Sequence, residues 1–281
     1  MALIGILFLG FRLHAYWQDL DISQITPTVW IYIAMLSVIY GSANFLLAVA
    51  WRQLLENLGV KFSSLGSIRL YGMSQLAKYV PGNIFHLAGR QAYGMAAGIE
   101  ARALAKSILW ELGLIALAGA QFCWLIASLF IPTLPQTASV FLLLSSVILI
   151  GAILSCTVGR KVGWAFLCQI LFLLISSTVF VALLILTTGE RELTSYHLLT
   201  IGGCYIVAWL VGLITPGAPA GVGVREMILL LLLNGLVTET DLFMAVLLGR
   251  LVTVVGDLLF FITASSISAK FSEFEINHAS R

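Results

Sequence analysis

The sequence predicts an all-α, polytopic integral membrane protein. Three observations point there. Of the 281 residues, 60% are apolar and only 10% charged, against about 45–50% and about 25% in soluble domains. The mean hydropathy is +1.03. The apolar residues also gather into runs of membrane length, and at about 20 residues per span there is room for about seven to eight transmembrane helices. Two further Pro-Gly elements are too interrupted for ordinary spans. The expectation is one transmembrane domain over residues 1–281, which excludes a soluble enzyme, a nucleic-acid binder and a membrane protein with a sizeable catalytic head.

Taken in order, the first apolar run is 2–17. It lacks a basic leading region and a small-x-small cleavage site, so it reads as a retained helix rather than a signal peptide. The second run, 29–51, carries Trp30 and Trp51 near its ends as interfacial anchors. The stretch 64–98, SLGSIRLYGMSQLAKYVPGNIFHLAGRQAYGMAAG, is broken by polar residues and Pro81. Runs 105–130, 139–158, 163–187 and 196–215 are ordinary spans, the last holding Trp209. The stretch 216–237, PGAPAGVGVREMILLLLLNGLV, has an apolar helix after Arg225 that covers only about 20 Å. A hydrocarbon core of about 30 Å is not crossed comfortably by that length. Run 242–264 is the last span. Both interrupted stretches read as broken or re-entrant helices.

Charge sorts the connections. Asp19, Asp21, Glu190, Arg191, Glu192, Glu239 and Asp241 fall on one set of turns, with Arg52, Lys61, Arg69, Arg102, Lys106, Arg160 and Lys161 on the other. The positive-inside bias places the basic set, and with it both termini, in the cytoplasm. Net charge is only +2, so no polybasic surface attracts nucleic acid. Cys123, Cys156, Cys168 and Cys204 stand singly inside apolar runs and read as small hydrophobes. His14, His197 and His278 show no metal-ligand spacing. Gly221-x-Gly223 follows no strand, so no dinucleotide fingerprint is present. No metal, cofactor or catalytic constellation is expected.

The two interrupted stretches share a pattern. Pro81-Gly82 is followed by Arg90 and Pro216-Gly217 by Arg225, each arginine nine residues after its proline. Proline removes a backbone donor and glycine lets the chain turn, so each helix must break there; Gly221 and Gly223 extend the second break. In hydrocarbon, broken backbone survives only where protein buries it or a cavity wets it. Paired interruptions in two halves of a transporter mark a midplane binding site. The alternative is two cytoplasmic loops with arginines at headgroup level. The charge assignment puts both elements on one face, which suits a parallel repeat more easily than an inverted one.

At these residues the chain resembles the lysylphosphatidylglycerol synthase transmembrane region, a flippase-like membrane domain. That domain also occurs in multiple peptide resistance factor proteins and in stand-alone bacterial and archaeal proteins. The resemblance rests on Trp51-Arg52 before Leu54-Leu55, on Gln75-Leu76-Ala77-Lys78-Tyr79-Val80-Pro81-Gly82 with Arg90, and on Ser107 and Glu111. It continues in Pro216-Gly217 and Gly221-Val222-Gly223-Val224-Arg225-Glu226. It implies a bacterial or archaeal cytoplasmic membrane and translocation of a lipid, or an accessory role in glycolipid assembly. The partners would be anionic phospholipid or polyprenyl-phosphate-linked saccharide, a glycosyltransferase or lipid-modifying enzyme, or a second copy of the chain. The lysyl-transferring domain of the full-length synthases has no counterpart here.

An intramembrane charge costs ~2.5–3.5 kcal/mol on translocon scales and survives when it pairs or faces water. Lys78, Arg90, Glu111, Arg225, Glu226, Arg250 and Asp257 are the candidates for substrate binding. Glu111 is expected one turn inside its helix, near Arg90. Arg250 and Asp257 share a helix face about 10 Å apart and must find partners on other helices. Glu226 points away from Arg225, toward a partner such as Arg250. Arginine beside open helix ends suits phosphate. Glu111 and Asp257 would compete for the arginines or take up protons as substrate leaves. His86 either lines the path or is satisfied by a backbone carbonyl. Three readings follow: a flippase driven by an ion gradient or running downhill, a membrane enzyme acting on a lipid phosphate with Glu111 as base, and a scaffold that recruits a glycosyltransferase.

Overall fold

The computed structural model describes residues 27–79, 85–131, 133–188, 195–215, 221 and 223–267. The expected helix 2–17, both termini, Asp19, Asp21, Glu190, Arg191, Glu192 and the four residues Pro81, Gly82, Pro216 and Gly217 lie outside them. The described chain is helical without strands. Helix α1 runs over Pro27–Asn57 and α2 over Ser64–Gln75, tightening to a 3-10 turn at Leu76–Tyr79. Next come α3 at Phe85–Ala96, α4 at Ala101–Gln121, α5 at Cys123–Phe130 and α6 at Gln136–Thr157. They are followed by α7 at Arg160–Thr188, α8 at Ser195–Ile214, α9 at Val224–Leu232 and α10 at Glu239–Ser266.

Six segments are long and apolar enough to cross a membrane: α1, α4 continued by α5, α6, α7, α8 and α10. They coincide with six of the expected spans and exceed most of them. The 31 residues of α1 reach about 46 Å, the thickness of a bilayer with its headgroups. Polar end turns lie in that interfacial zone, where hydropathy no longer marks them. The same effect moves the start of α4 four residues before the expected 105, to Ala101.

Side-chain pairs set the directions. Arg52 and Lys161 both bind Glu56, at 2.8 and 2.9 Å, joining the end of α1 to the start of α7. Trp51 Nε1 donates to Ser107 at 3.0 Å, so α4 starts at this same basic end. Helices α1 and α10 run parallel, with Gly41 against Gly256 and Phe45 against Phe260. At the opposite end the Thr187 hydroxyl donates to the Asp241 carbonyl at 3.3 Å, bringing the end of α7 to the start of α10. Helices α1, α7 and α10 form the centre of the bundle, where Trp51, Phe166, Phe180, Leu183 and Phe260 are at most 2% exposed. Helix α6 lies outside it, touching α5 and α7, with Phe141 70% and Ile148 71% exposed. Such an apolar face belongs in lipid rather than water.

The two interrupted stretches resolve differently. The first is a re-entrant hairpin: α2 enters from the basic end, packing Gly72 against Ala264 and Phe260 of α10, and α3 returns beside α2 and α4. Ser63 caps α2 by accepting from the Gly66 amide at 3.0 Å. The second stretch is broken but not re-entrant. Gly221 lies against Gly212 near the basic end of α8, and the nine residues of α9 lead on toward the opposite face, where α10 begins. Thr238 caps α10 by accepting from the Asp241 amide. Two elements that look alike in sequence are therefore unlike in topology.

Candidate functional site

The hairpin and α4 build one side of the site. Glu111 lies ten residues into α4, about 15 Å from its start, and not one turn inside as expected. Four of those ten residues come from the earlier start of α4; the other six already lay between the expected start and Glu111. At that depth Glu111 receives the Tyr71 hydroxyl of α2 at 2.8 Å and the Arg90 guanidinium of α3. Arg90 is 1% exposed and lies over the Tyr71 ring at 3.8 Å, with Trp51 at 5.5 Å. Among the described residues its Nε and Nη2 have no hydrogen-bond acceptor; the guanidinium meets aromatic faces instead, which attract a cation. Gln169 of α7 donates to the Glu111 carbonyl at 3.2 Å.

A second network gathers on Asp257, which is fully buried in α10. Lys78 reaches it at 2.8 Å, the Tyr79 hydroxyl bonds the same oxygen, and Asn44 of α1 donates to the other at 3.2 Å. Gln75 then donates to the Asn44 oxygen at 3.2 Å. Every donor comes from an element packed on α10, so the carboxylate locks the tip of the hairpin to the bundle centre.

The third network belongs to the broken segment. Gly221 and Gly223 hold φ of +71° and +84°, a left-handed backbone that glycine adopts without strain. At Gly221 a side chain would also meet the Gly212 Cα at 3.1 Å. The Gly223 amide donates to the Glu226 carboxylate at 2.6 Å, closing the first turn of α9 as an acid three residues past the cap does. The other Glu226 oxygen takes the Arg250 Nε at 3.0 Å and Nη2 at 2.7 Å, the pairing expected from side-chain direction.

Arg225, one residue earlier, points elsewhere. It is 9% exposed and lies over the Tyr205 ring at 4.3 Å. Among the described residues no carboxylate comes within ion-pair distance of it. Tyr205 is held in turn by stacking on Phe180, with centroids 4.4 Å apart, and by a hydroxyl contact to Ser176 at 3.3 Å.

These networks surround one cavity of about 120 Å³, room for several waters at about 10–15 Å³ each. Of the expected site residues, Lys78, Glu111, Arg225 and Arg250 line it, and so do Gly221 and His86. Arg90, Glu226 and Asp257 do not; they stand behind the wall, each engaged with a residue that lines it. Arg90 and Arg225, both candidates for substrate binding from the sequence, are therefore placed differently, and only Arg225 lines the cavity. Aromatic rings and Glu111 consume Arg90, and Arg225 alone is presented. Among the described residues the His86 Nδ1 has no hydrogen-bond partner, so no described backbone carbonyl satisfies that atom.

The lining runs from Leu213, in the last turn of α8, to Tyr40 and Arg250. Arg250 lies within about 4 Å of the middle of α10. Beyond that level lie Phe180, Leu183, Leu184, Leu229, Leu233 and Leu242, each at most 2% exposed, interrupted by a small void of about 10 Å³ that Phe180 and Leu229 line together with Arg225, Glu226 and Arg250. The hollow therefore occupies the basic half of the molecule and is closed toward the acidic half.

The charge count closes the description. Lys78, Arg90 and Arg250 each meet one of Asp257, Glu111 and Glu226. Four cations against three carboxylates leave one positive charge, and the geometry assigns it to Arg225. Sequence reading did not single out Asn44, Tyr71 or Tyr205, and took Tyr79 only as part of the motif before Pro81. Asn44 carried a usable signal, a lone amide deep inside an apolar run; the tyrosines did not, because tyrosine is common at interfaces. Searches against protein-family models and against curated proteins find no match to the chain.

Proposed function

We propose that the protein translocates an anionic lipid, or a lipid-linked saccharide, across the cytoplasmic membrane of a bacterium or archaeon. Arg225 carries this reading: an arginine nine-tenths buried, lining a cavity inside the helical bundle, with no carboxylate among the described residues to neutralise it. Burying such a charge costs several kcal/mol unless something anionic joins it. A phosphate headgroup is that anion, and guanidinium N–H donors match its oxygens. The acyl or polyprenyl chains stay in lipid while the headgroup occupies the hollow.

With the basic end in the cytoplasm, the headgroup enters from the cytoplasmic side. Release on the other side requires the packed residues around Phe180 and Leu229 to part, an inward-to-outward exchange of access powered by an ion gradient or by the lipid gradient itself. The reading as an enzyme with Glu111 as base is weaker, since both Glu111 oxygens already hold donors.

The test is reconstitution into liposomes containing headgroup-labelled phospholipids, with labels in the outer leaflet destroyed by an impermeant quencher. Wild type should exchange an anionic lipid between leaflets, and Arg225→Gln should do so about tenfold or more slowly, one lost charge-assisted contact. Wild type no faster than protein-free vesicles across several anionic lipid classes would overturn the proposal.

A further inference from the structure

We propose that the cavity selects a phosphate carrying a single negative charge, a phosphodiester, over phosphate monoesters and pyrophosphates. This rests on the translocation reading above and names the headgroup class it would take. The three ion pairs around the hollow are closed: Lys78 on Asp257 at 2.8 Å, Arg250 on Glu226 at 2.7 Å, and Arg90 on Glu111. What the site lacks for neutrality is one negative charge, at Arg225. In a poorly solvated site a net charge of either sign is penalised. A monoanion brings the site to zero. A dianion overshoots and must strip Arg250 from Glu226 or Lys78 from Asp257, leaving a buried carboxylate bare.

The remaining lining agrees. The same cavity is lined by Tyr40, Gln75, Tyr79, Trp209 and Thr253, which offer hydroxyls, an amide and ring faces, and by His86, whose Nδ1 has no partner among the described residues. Such groups suit a polyol or sugar esterified to the phosphate, since hydroxyls pair with polar side chains and the ring plane of a sugar packs on an aromatic face. Among the described lining residues, a second phosphate would find no lysine or arginine that is not already paired.

The experiment is equilibrium binding to the purified full-length protein by native mass spectrometry, without transport. At pH 8 phosphatidylglycerol, a singly charged diester, competes with phosphatidic acid of the same chains, a monoester close to doubly charged. Phosphatidylglycerol should win by about tenfold or more, the effect of about 1.4 kcal/mol of unanswered charge. Arg225→Gln leaves the three pairs balanced with no cation over, and should weaken binding of both lipids by about tenfold or more. Glu226→Gln and, independently, Glu111→Gln each add one positive charge and should shift the preference toward phosphatidic acid. Equal binding of the two lipids by wild type overturns the inference, as does an unshifted preference in both glutamine variants. Soluble glycerophosphoglycerol displacing phosphatidylglycerol would keep the diester and assign it to a soluble ester; failure to displace assigns it to lipid. Selective binding without leaflet exchange would sink the translocation reading alone, and equal exchange of both lipids would sink only the charge count.

Discussion

Replacing Arg225 with methionine should make the protein more stable, whereas the same change at Arg90 should make it markedly less stable. Both arginines are buried, at 9% and 1% exposure, but their surroundings differ. Arg90 neutralises Glu111, so Arg90→Met strands a carboxylate at depth and should cost about 3–5 kcal/mol, as breaking a buried pair does. Arg225 neutralises no carboxylate among the described residues. Its contact with the Tyr205 ring at 4.3 Å supplies about 0.5–2 kcal/mol, while a central arginine costs ~2.5–3.5 kcal/mol. The balance favours Arg225→Met by about 1 kcal/mol, less whatever cavity water returns. The measurement is the unfolding free energy of purified protein in mixed micelles titrated with SDS, with wild type and both variants side by side. A loss at Arg225→Met as large as that at Arg90→Met would show that the protein itself compensates the Arg225 charge, and the anion site would lose its physical basis. A rise in stability with a fall in anion binding is the trade between activity and stability expected of a strained site.

Other outcomes follow from the same contacts. Asp257→Ala frees Lys78, Tyr79 and Asn44 at once and should cost about 3–5 kcal/mol in the same titration. Arg90→Met combined with Glu111→Leu should recover most of the single-variant loss, since removing both partners of a buried pair is close to neutral; a double loss near the sum of the singles would contradict the coupling. Gly221→Ala places a methyl against Gly212 at a φ of +71° and should lower stability by about 1–3 kcal/mol. In a cysteine-free background, Leu213→Cys at the cavity mouth should react with an impermeant thiol reagent added on the basic side. Leu183→Cys, fully buried beyond the cavity, should stay unlabelled from the basic side, and should react from the acidic side only when the packed layer parts.

Much of the architecture was legible before any coordinates. Runs of apolar residues declare spans because unpaired backbone is intolerable in hydrocarbon, and six of them stand where hydropathy put them. The ionisable residues were equally plain, since a charge inside an apolar run has few innocent explanations. Composition also marked both helix interruptions. Helix ends were less legible: Arg102 and Lys106 extend α4 through the interfacial zone, where polar and apolar residues are equally at home.

What sequence alone determined is the class of protein and its inventory of intramembrane charges, because the bilayer acts on residues one segment at a time. What only the tertiary structure decided is which charge is left over. Arg90 and Arg225 occupy matching places after two Pro-Gly pairs, yet one returns in a hairpin to meet Glu111 while the other crosses toward α10 and meets a tyrosine ring. Partner choice depends on which helices lie adjacent at a given depth. Packing between segments far apart in the chain sets that adjacency, and no local pattern encodes it.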